Sequence, residues 1–284
     1  MKIKKIKETY DDYETYNLHI EDNHNYFAES VLVKNCNEMV IEGLLGPVKR
    51  IVTSREIIDQ GRASDIEVRM SMVEYPQSVL YELKAACDQL PPKQRYAKEI
   101  EFINSYEPRC RFLLDMIQSM PGNSLVLFDR VEGYGKELYE AHLQVHEHVF
   151  LIVGDVDVDR REEIRQIMDQ YDDAVIYASY GTMQQGVSIK KLHNLFLISS
   201  SKSVIRILQS IGRMMRLHDS KSKARIFDIV DNMTIDGKEN YVLKHAQERI
   251  GMYSQQQFPI EFDQYSISRY IEEPSETNSL QFYD

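Results

Sequence analysis

Three cysteines in 284 residues, Cys36, Cys87 and Cys110, are too few for a disulfide framework and lack the paired spacing of a thiolate metal site. Such sparse usage fits a reducing cytoplasm. No apolar run approaches the roughly 20 residues that cross a bilayer, and no signal-peptide pattern is present. The expectation is a soluble chain with no membrane partner. No internal repeat occurs. The phosphate-cradling pattern G-x-x-x-x-G-K-[ST] is also missing, so nothing in the chain is suited to hold a β-phosphate or Mg²⁺. His142, His146 and His148 stand close together, but no matching cysteine or carboxylate constellation accompanies them. They read as a helix-end cluster and not as a zinc site, and no metal ligands are assigned.

Positive charge is in deficit overall, with 34 lysines and arginines against 45 acidic residues and a net charge of −11. That balance speaks against a polyanion-binding surface spread over the whole chain, but the average hides a local reversal. From Gly186 to Arg225 nine basic residues face only Asp219, which gives +8 there and leaves −19 elsewhere. One basic groove on an acidic body fits this segregation, with a solvated basic face as the bland alternative.

Inside the basic stretch, QSIGRMMR sets Gln209, Arg213 and Arg216 at i, i+4 and i+7, on one stripe of a helix. Guanidiniums are permanently charged forks, suited to offset charge on a phosphoryl group. Gly212 costs such a helix roughly 1 kcal/mol relative to alanine, so it asks for a reason, and close approach of a neighbour supplies one. Upstream, ASYGTMQQGVSIKKLHNLFLISSSKS reads as a strand, a polar loop at its C-terminal end, and a second strand. Ligands gather at that edge of open α/β sheets.

The remaining periodicity predicts strands at 66–75, 125–128, 149–153, 174–178, 195–198 and 224–230. Helices are predicted at 79–89, 94–120 with a break near Pro108, 136–145, 160–171, 204–217 and 241–253. The apolar set Phe112, Leu113, Met116, Ile117 and Met120 repeats at helical spacing and is core. Alternation of strands with helices predicts an α/β fold with a mostly parallel sheet. Residues 254–284, rich in glutamine and acid, read as a loosely ordered tail.

The order of the loop and arginine segments resembles motifs V and VI of superfamily 2 helicases. NSLVLFDRV, at 123–131, looks like motif IV, and the pattern runs on through LIVGDVDVDRREEI. The resemblance is nearest to phage recombination helicases of the UvsW type and covers roughly 45–253. It implies a RecA-like helicase C-terminal lobe. Arg213 and Arg216 would reach the ATP γ-phosphate with Gln209 beside them, and Gly186 and Ser188 would belong to the nucleotide site. Ser179, Lys190, Lys191 and Lys202 would face nucleic acid. Ser188 stands where related helicases commonly carry aspartate, and loop hydroxyls that merely cap turns remain the alternative for Ser179 and Ser188.

Residues 1–35 have no counterpart in that resemblance. Three short alternating stretches, 16–20, 26–28 and 31–33, hold too little core to stand alone. YNLHIEDNHNYFAESVLVKN followed by cysteine resembles the C-terminal block of inteins, and from Met1 onward it looks like the C-terminal half of a split intein, a small all-β fragment. The resemblance implies that Asn35 cyclises, its amide attacking its own carbonyl and cutting the bond to Cys36. The Cys36 thiol would accept an acyl group from a thioester, and His24 would move protons. Lys34 and Asn17 replace the histidine and aspartate often found in such blocks.

The two resemblances together give four segments: an intein C-fragment at 1–35, the end of a first motor lobe and linker at 36–65, the second lobe at 66–253, and the tail. The expected product is an ATP-dependent DNA helicase or translocase acting on branched or recombination intermediates. Its first lobe, with ATP and Mg²⁺ sites, would come from a separate polypeptide bearing the intein N-terminal half. The alternatives are a duplex translocase of restriction or remodelling type and a standalone nucleic-acid-binding module without ATPase activity.

Overall fold

The computed structural model describes residues 25–28, 31–34, 54–129, 134–154, 158–183, 189–199, 211–212, 216–221 and 223–272. The chain divides into two compact units, Met1–Thr53 and Ser54–Asp284. In the first, β1 (Asn25–Ala28) and β2 (Val31–Lys34) pair antiparallel, with Asn25 opposite Lys34 and Ala28 opposite Val31. These strands coincide with two of the three short stretches that the sequence marks. The third, 16–20, lies outside the described residues.

The second unit is built on a parallel seven-stranded sheet in the order β5-β6-β4-β7-β8-β3-β9. Its strands are β3 (Asp65–Glu74), β4 (Ser124–Phe128), β5 (Val149–Ile152), β6 (Val175–Ser179), β7 (Asn194–Leu197), β8 (Lys223–Asn232) and β9 (Ile260–Ser266). The central strands SLVLF, VIYAS and NLFL are buried at every position, which is what a parallel sheet covered on both faces demands. Strand alternation then divides the core in two. Leu125, Leu127, Ile176, Leu195 and Ile226 pack on one face, while Val126, Phe128, Tyr177, Phe196 and Phe227 pack on the other.

Helices cover both faces. Helix α1 (Ser54–Asp59) leads into β3; α2 (Gln77–Cys87), α3 (Pro92–Ser105) and α4 (Glu107–Ser119) follow it. The predicted break near Pro108 falls at Tyr106, and Pro108 occupies the first turn of α4, where its missing N–H costs no helical bond. Phe112, Leu113, Met116 and Ile117 of α4 pack on the second face, as their spacing predicts. Helices α5 (Lys136–Leu143), α6 (Val158–Gln170), the one-turn α7 (Tyr180–Met183) and α8 (Tyr241–Gln255) complete the alternation. Ile164 and Met168 of α6 join Ala246, Met252 and Tyr253 of α8 on the first face. Among the described residues no helix is long and apolar enough to cross a membrane.

The tail differs from its sequence reading. β9 adds to β3 over seven residue pairs, Val68 opposite Ile260 through Glu74 opposite Ser266, and α9 (Arg269–Glu272) follows. As an edge strand β9 needs little apolar content. Its anchors are Phe258, Ile267 and Tyr270, each at most 8% exposed, and Arg69 forms ion pairs with Glu261 and Asp263.

At the N-terminal edge of the sheet, fully buried Asn123 ties three strands together. Its amide donates to Met168 O and Tyr171 O at 2.7 and 2.9 Å, and its side-chain oxygen accepts from Ala174 N. Its own N–H donates to His193 Nδ1 at 3.0 Å, so His193 is neutral and carries its proton on Nε2, facing Ser220. Gly122, at φ +91°, abuts that ring: an added Cβ would stand 2.5 Å from it.

Candidate functional site

At the C-terminal ends of the strands, the loop after β6 is fixed by a chain of hydroxyls. Ser179 is 8% exposed; its Oγ accepts from Thr182 N at 3.1 Å and meets Thr182 Oγ1 at 2.9 Å. Thr182 Oγ1 donates onward to Gly154 O, and Tyr180 donates its phenol to Ser199 O. The exits of β5, β6 and β7 are thereby linked. The Ser179 hydroxyl caps a turn, the plainer of the two roles its sequence context allowed. Gly186, Ser188 and Lys202 lie outside the described residues.

The arginine segment occupies a different place. Residues 211 and 212 are helical; Ile211 is fully buried, whereas Gly212 is exposed and an added Cβ there would meet no atom within 4 Å among the described residues. No described neighbour therefore requires the glycine. The main-chain oxygen of half-buried Arg216 accepts from the Ser64 hydroxyl at 3.1 Å, and Ser64 is itself 3% exposed. Because Ser64 immediately precedes β3, Arg216 sits at the N-terminal edge of the sheet, joined to the segment that enters this unit. The structure brings Arg216 to that entry segment and not to Ser179. Gln209 and Arg213 lie outside the described residues, as do His24, Asn35 and Cys36.

The two lysines before β7 also sit at the N-terminal edge. Lys190 is exposed. Lys191 is almost buried, its Nζ donating to Asp169 O at 3.1 Å and paired with Asp172 at 2.7 Å, which holds the Asp172 carboxyl below its usual range. Its charge serves the turn between α6 and β6, across the sheet from the Ser179 loop.

Sequence reasoning missed the buried charges of β8. Arg109 of α4, wholly buried, donates to both carboxylate oxygens of Asp231, to Ile198 O and to the Tyr134 hydroxyl. Burial works against this guanidinium, and Asp231 together with Tyr134 and Tyr75 more than offsets it, so its pKa is raised. On the other face Arg249 of α8 forks onto Asp228, which also accepts from Tyr253. Such charged residues inside apolar patterns gave no periodic signal; only their opposite signs hinted at pairing. Near Asp231 a cavity of about 500 Å³ opens at the strands' C-terminal ends, lined by Asp129, Ser199 and the apolar face of α3. The two described cysteines, Cys87 and Cys110, are poor nucleophiles: burial raises both thiols, Cys110 to about 11.

No protein-family profile matches the chain. It is homologous to the ATP-dependent DNA helicase UvsW of Enterobacteria phage T4, a superfamily 2 helicase, at 27% identity over 235 residues, covering 78% of this chain and 45% of that protein. The chain thus spans about half the length of this relative. The crystal structure of T4 UvsW superposes with a TM-score of 0.59 at 25% identity, over 82% of this chain and 46% of that one. The same fold occurs in an HsdR subunit of a type I restriction enzyme from Vibrio vulnificus, with a TM-score of 0.54 at 14% identity, covering 80% of this chain and 41% of that one. It also occurs in the Type ISP restriction-modification enzyme LlaBIII bound to DNA, with a TM-score of 0.52 at 14% identity, covering 83% of this chain and 18% of the other. The second unit has the fold of a RecA-like helicase C-terminal lobe.

Proposed function

We propose that the second unit is the second motor lobe of an ATP-dependent DNA helicase acting on branched or recombination intermediates. We further propose that it is joined to its first lobe by protein splicing at Asn35–Cys36. The observation that carries the motor reading is Gly212: exposed, in the segment that ends at Arg216, with no described atom within 4 Å of a would-be Cβ. A side chain is absent there although no described residue needs the room, which fits a surface kept clear for a nucleotide and an opposing lobe. ATP, when bound, supplies a γ-phosphoryl group for transfer to water. Arg213 and Arg216 would then offset the charge that develops, with Gln209 orienting the site. Ser64 holds the main chain at Arg216, so movement of the segment entering this unit is transmitted to the arginines. Mg²⁺ and the β-phosphate would be held by the first lobe.

The splicing reading draws support from the hairpin of the first unit, since β2 ends at Lys34 and delivers Asn35 directly after a paired strand. Attack of the Asn35 amide nitrogen on its own carbonyl forms a succinimide and frees the Cys36 amine. The Cys36 thioester then shifts its acyl group from sulfur to that nitrogen, leaving a peptide bond and a regenerated thiol. We propose that a separate polypeptide carrying the first lobe and an intein N-terminal half supplies the acyl group.

Mass spectrometry after mixing with that partner tests the reading. The expected product lacks residues 1–35 and gains the first lobe at Cys36, and it separates strands of forked DNA. Asn35→Ala blocks release of the fragment, and Cys36→Ala stops ligation. An unprocessed 284-residue chain after incubation with the partner removes the splicing proposal. Processing of blunt duplex without strand separation replaces the helicase with a translocase.

A further inference from the structure

The histidine cluster set aside in the sequence acquires, in the fold, the carboxylate it lacked. His146 and His148 lie between α5 and β5; Asp173 lies between α6 and β6 and is 25 residues from His148. His148 Nδ1 stands 2.7 Å from Asp173 Oδ1, and His146 Nε2 stands 3.9 Å from Asp173 Oδ2. One ligand atom from each of the three falls within 4.8 Å of the others. We propose that His146, His148 and Asp173 form a binding site for a divalent transition-metal ion of the zinc class.

Donor chemistry selects the ion. Two imidazoles and one carboxylate suit borderline cations, whereas Mg²⁺ and Ca²⁺ take oxygen-rich shells. Bonds of about 2.0–2.2 Å set tetrahedral ligand atoms roughly 3.3–3.6 Å apart, so the three donors, all within 4.8 Å of one another, draw together on the ion. The ion displaces two hydrogen bonds, that of His148 Nδ1 with Asp173 Oδ1 and that of His146 Nε2 with Asp173 O at 2.9 Å.

The surrounding structure holds the donors in place. His148 stacks on Tyr171 with ring centroids 3.9 Å apart, and its main-chain oxygen accepts from Val175 N. His146 is held by its own N–H, which donates to His142 O at 3.0 Å. A cavity of about 220 Å³ adjoins the cluster and is lined by His142, His146 and Asp173. His142 is fully buried; its Nδ1 pairs with the Tyr177 hydroxyl, while its Nε2 meets no hydrogen-bond partner among the described residues. A ligand water on the ion is the kind of partner its free nitrogen lacks. The site stands where β5 and β6 begin their pairing, Val149 opposite Val175, at the sheet edge opposite the Ser179 loop. An ion there clips an edge strand to its neighbour and serves structure, not phosphoryl transfer.

Zinc titration of the full chain by calorimetry, with Co²⁺ spectroscopy and amide exchange alongside, tests the site. Wild type takes up a zinc equivalent that the His146→Ala/His148→Ala double variant loses and that Asp173→Asn binds more weakly. The Co²⁺ complex shows d–d bands without the sulfur charge-transfer band of a cysteine site, and zinc slows exchange of β5 amides in wild type alone. The variants change half-exposed or exposed side chains, so their unaltered melting without zinc shows that lost binding is not lost folding. A wild type without saturable uptake, or a double variant whose isotherm overlays it, overturns the proposal.

Discussion

Gly212 and His193 show how much a single position decides. Gly212 is exposed and helical, with no described atom within 4 Å of a would-be methyl. Gly212→Ala is therefore expected to raise the melting temperature of the chain, by the equivalent of up to about 1 kcal/mol of helix propensity. In the spliced protein the same methyl intrudes on the opposing surface, and ATPase activity falls. Higher stability with unchanged ATPase would separate the glycine from the motor. His193 carries a pH effect. Burial, the largest influence, lowers its pKa below the usual 6.5, and protonation on Nδ1 breaks the bond from Asn123 N. Between 6.5 and that lower value the unfolded chain binds the extra proton, so stability falls as pH falls through this window and is restored above it. Urea midpoints from pH 7.5 to 5 should decline less steeply in His193→Gln, which keeps an acceptor but does not titrate. Identical slopes would assign the loss to other groups. The arginine segment stood out in the sequence because its spacing is local. It could not show that Lys191 is consumed by Asp172 or that Asp173 joins His148, since both partners arrive through strand pairing across more than 18 residues.

At the scale of elements, strands β3–β8 and helices α2–α6 and α8 lie within a few residues of their sequence positions, because burial on both sheet faces writes apolar runs and helix cores write 3.6-residue periods; the short α1 and α7 had no counterpart in the sequence reading. β9 escaped notice for the opposite reason. An edge strand carrying glutamate, aspartate and glutamine resembles a loop, and its anchors, Phe258, Ile267 and Tyr270, are too widely spaced to form a period. Ile267 is fully buried and its N–H donates to Glu74 O. Ile267→Ala is expected to cost about 2–5 kcal/mol in urea unfolding, the range for emptying a packed aliphatic site. A loss below about 0.5 kcal/mol, ordinary for a surface change, would restore the loose tail.

At the scale of the whole molecule, the charge division is part of the account: −11 overall, with +8 gathered between Gly186 and Arg225. The fold apportions that excess among different tasks. Lys191 holds a turn, Lys223 pairs with Glu67, and Lys221, with burial pulling its pKa down to about 8, donates to Leu192 O. We propose that Arg213 and Arg216 of this chain complete an ATPase whose phosphate-binding loop belongs to another lobe. Its most direct test is the steady-state ATP hydrolysis of the spliced protein, with and without DNA, beside Arg213→Ala and Arg216→Ala. Each variant is expected to lose about 10³-fold or more in rate, while DNA binding falls far less, because these groups act on charge that exists only as the phosphoryl group departs. Hydrolysis at the unsubstituted rate in both variants would contradict it.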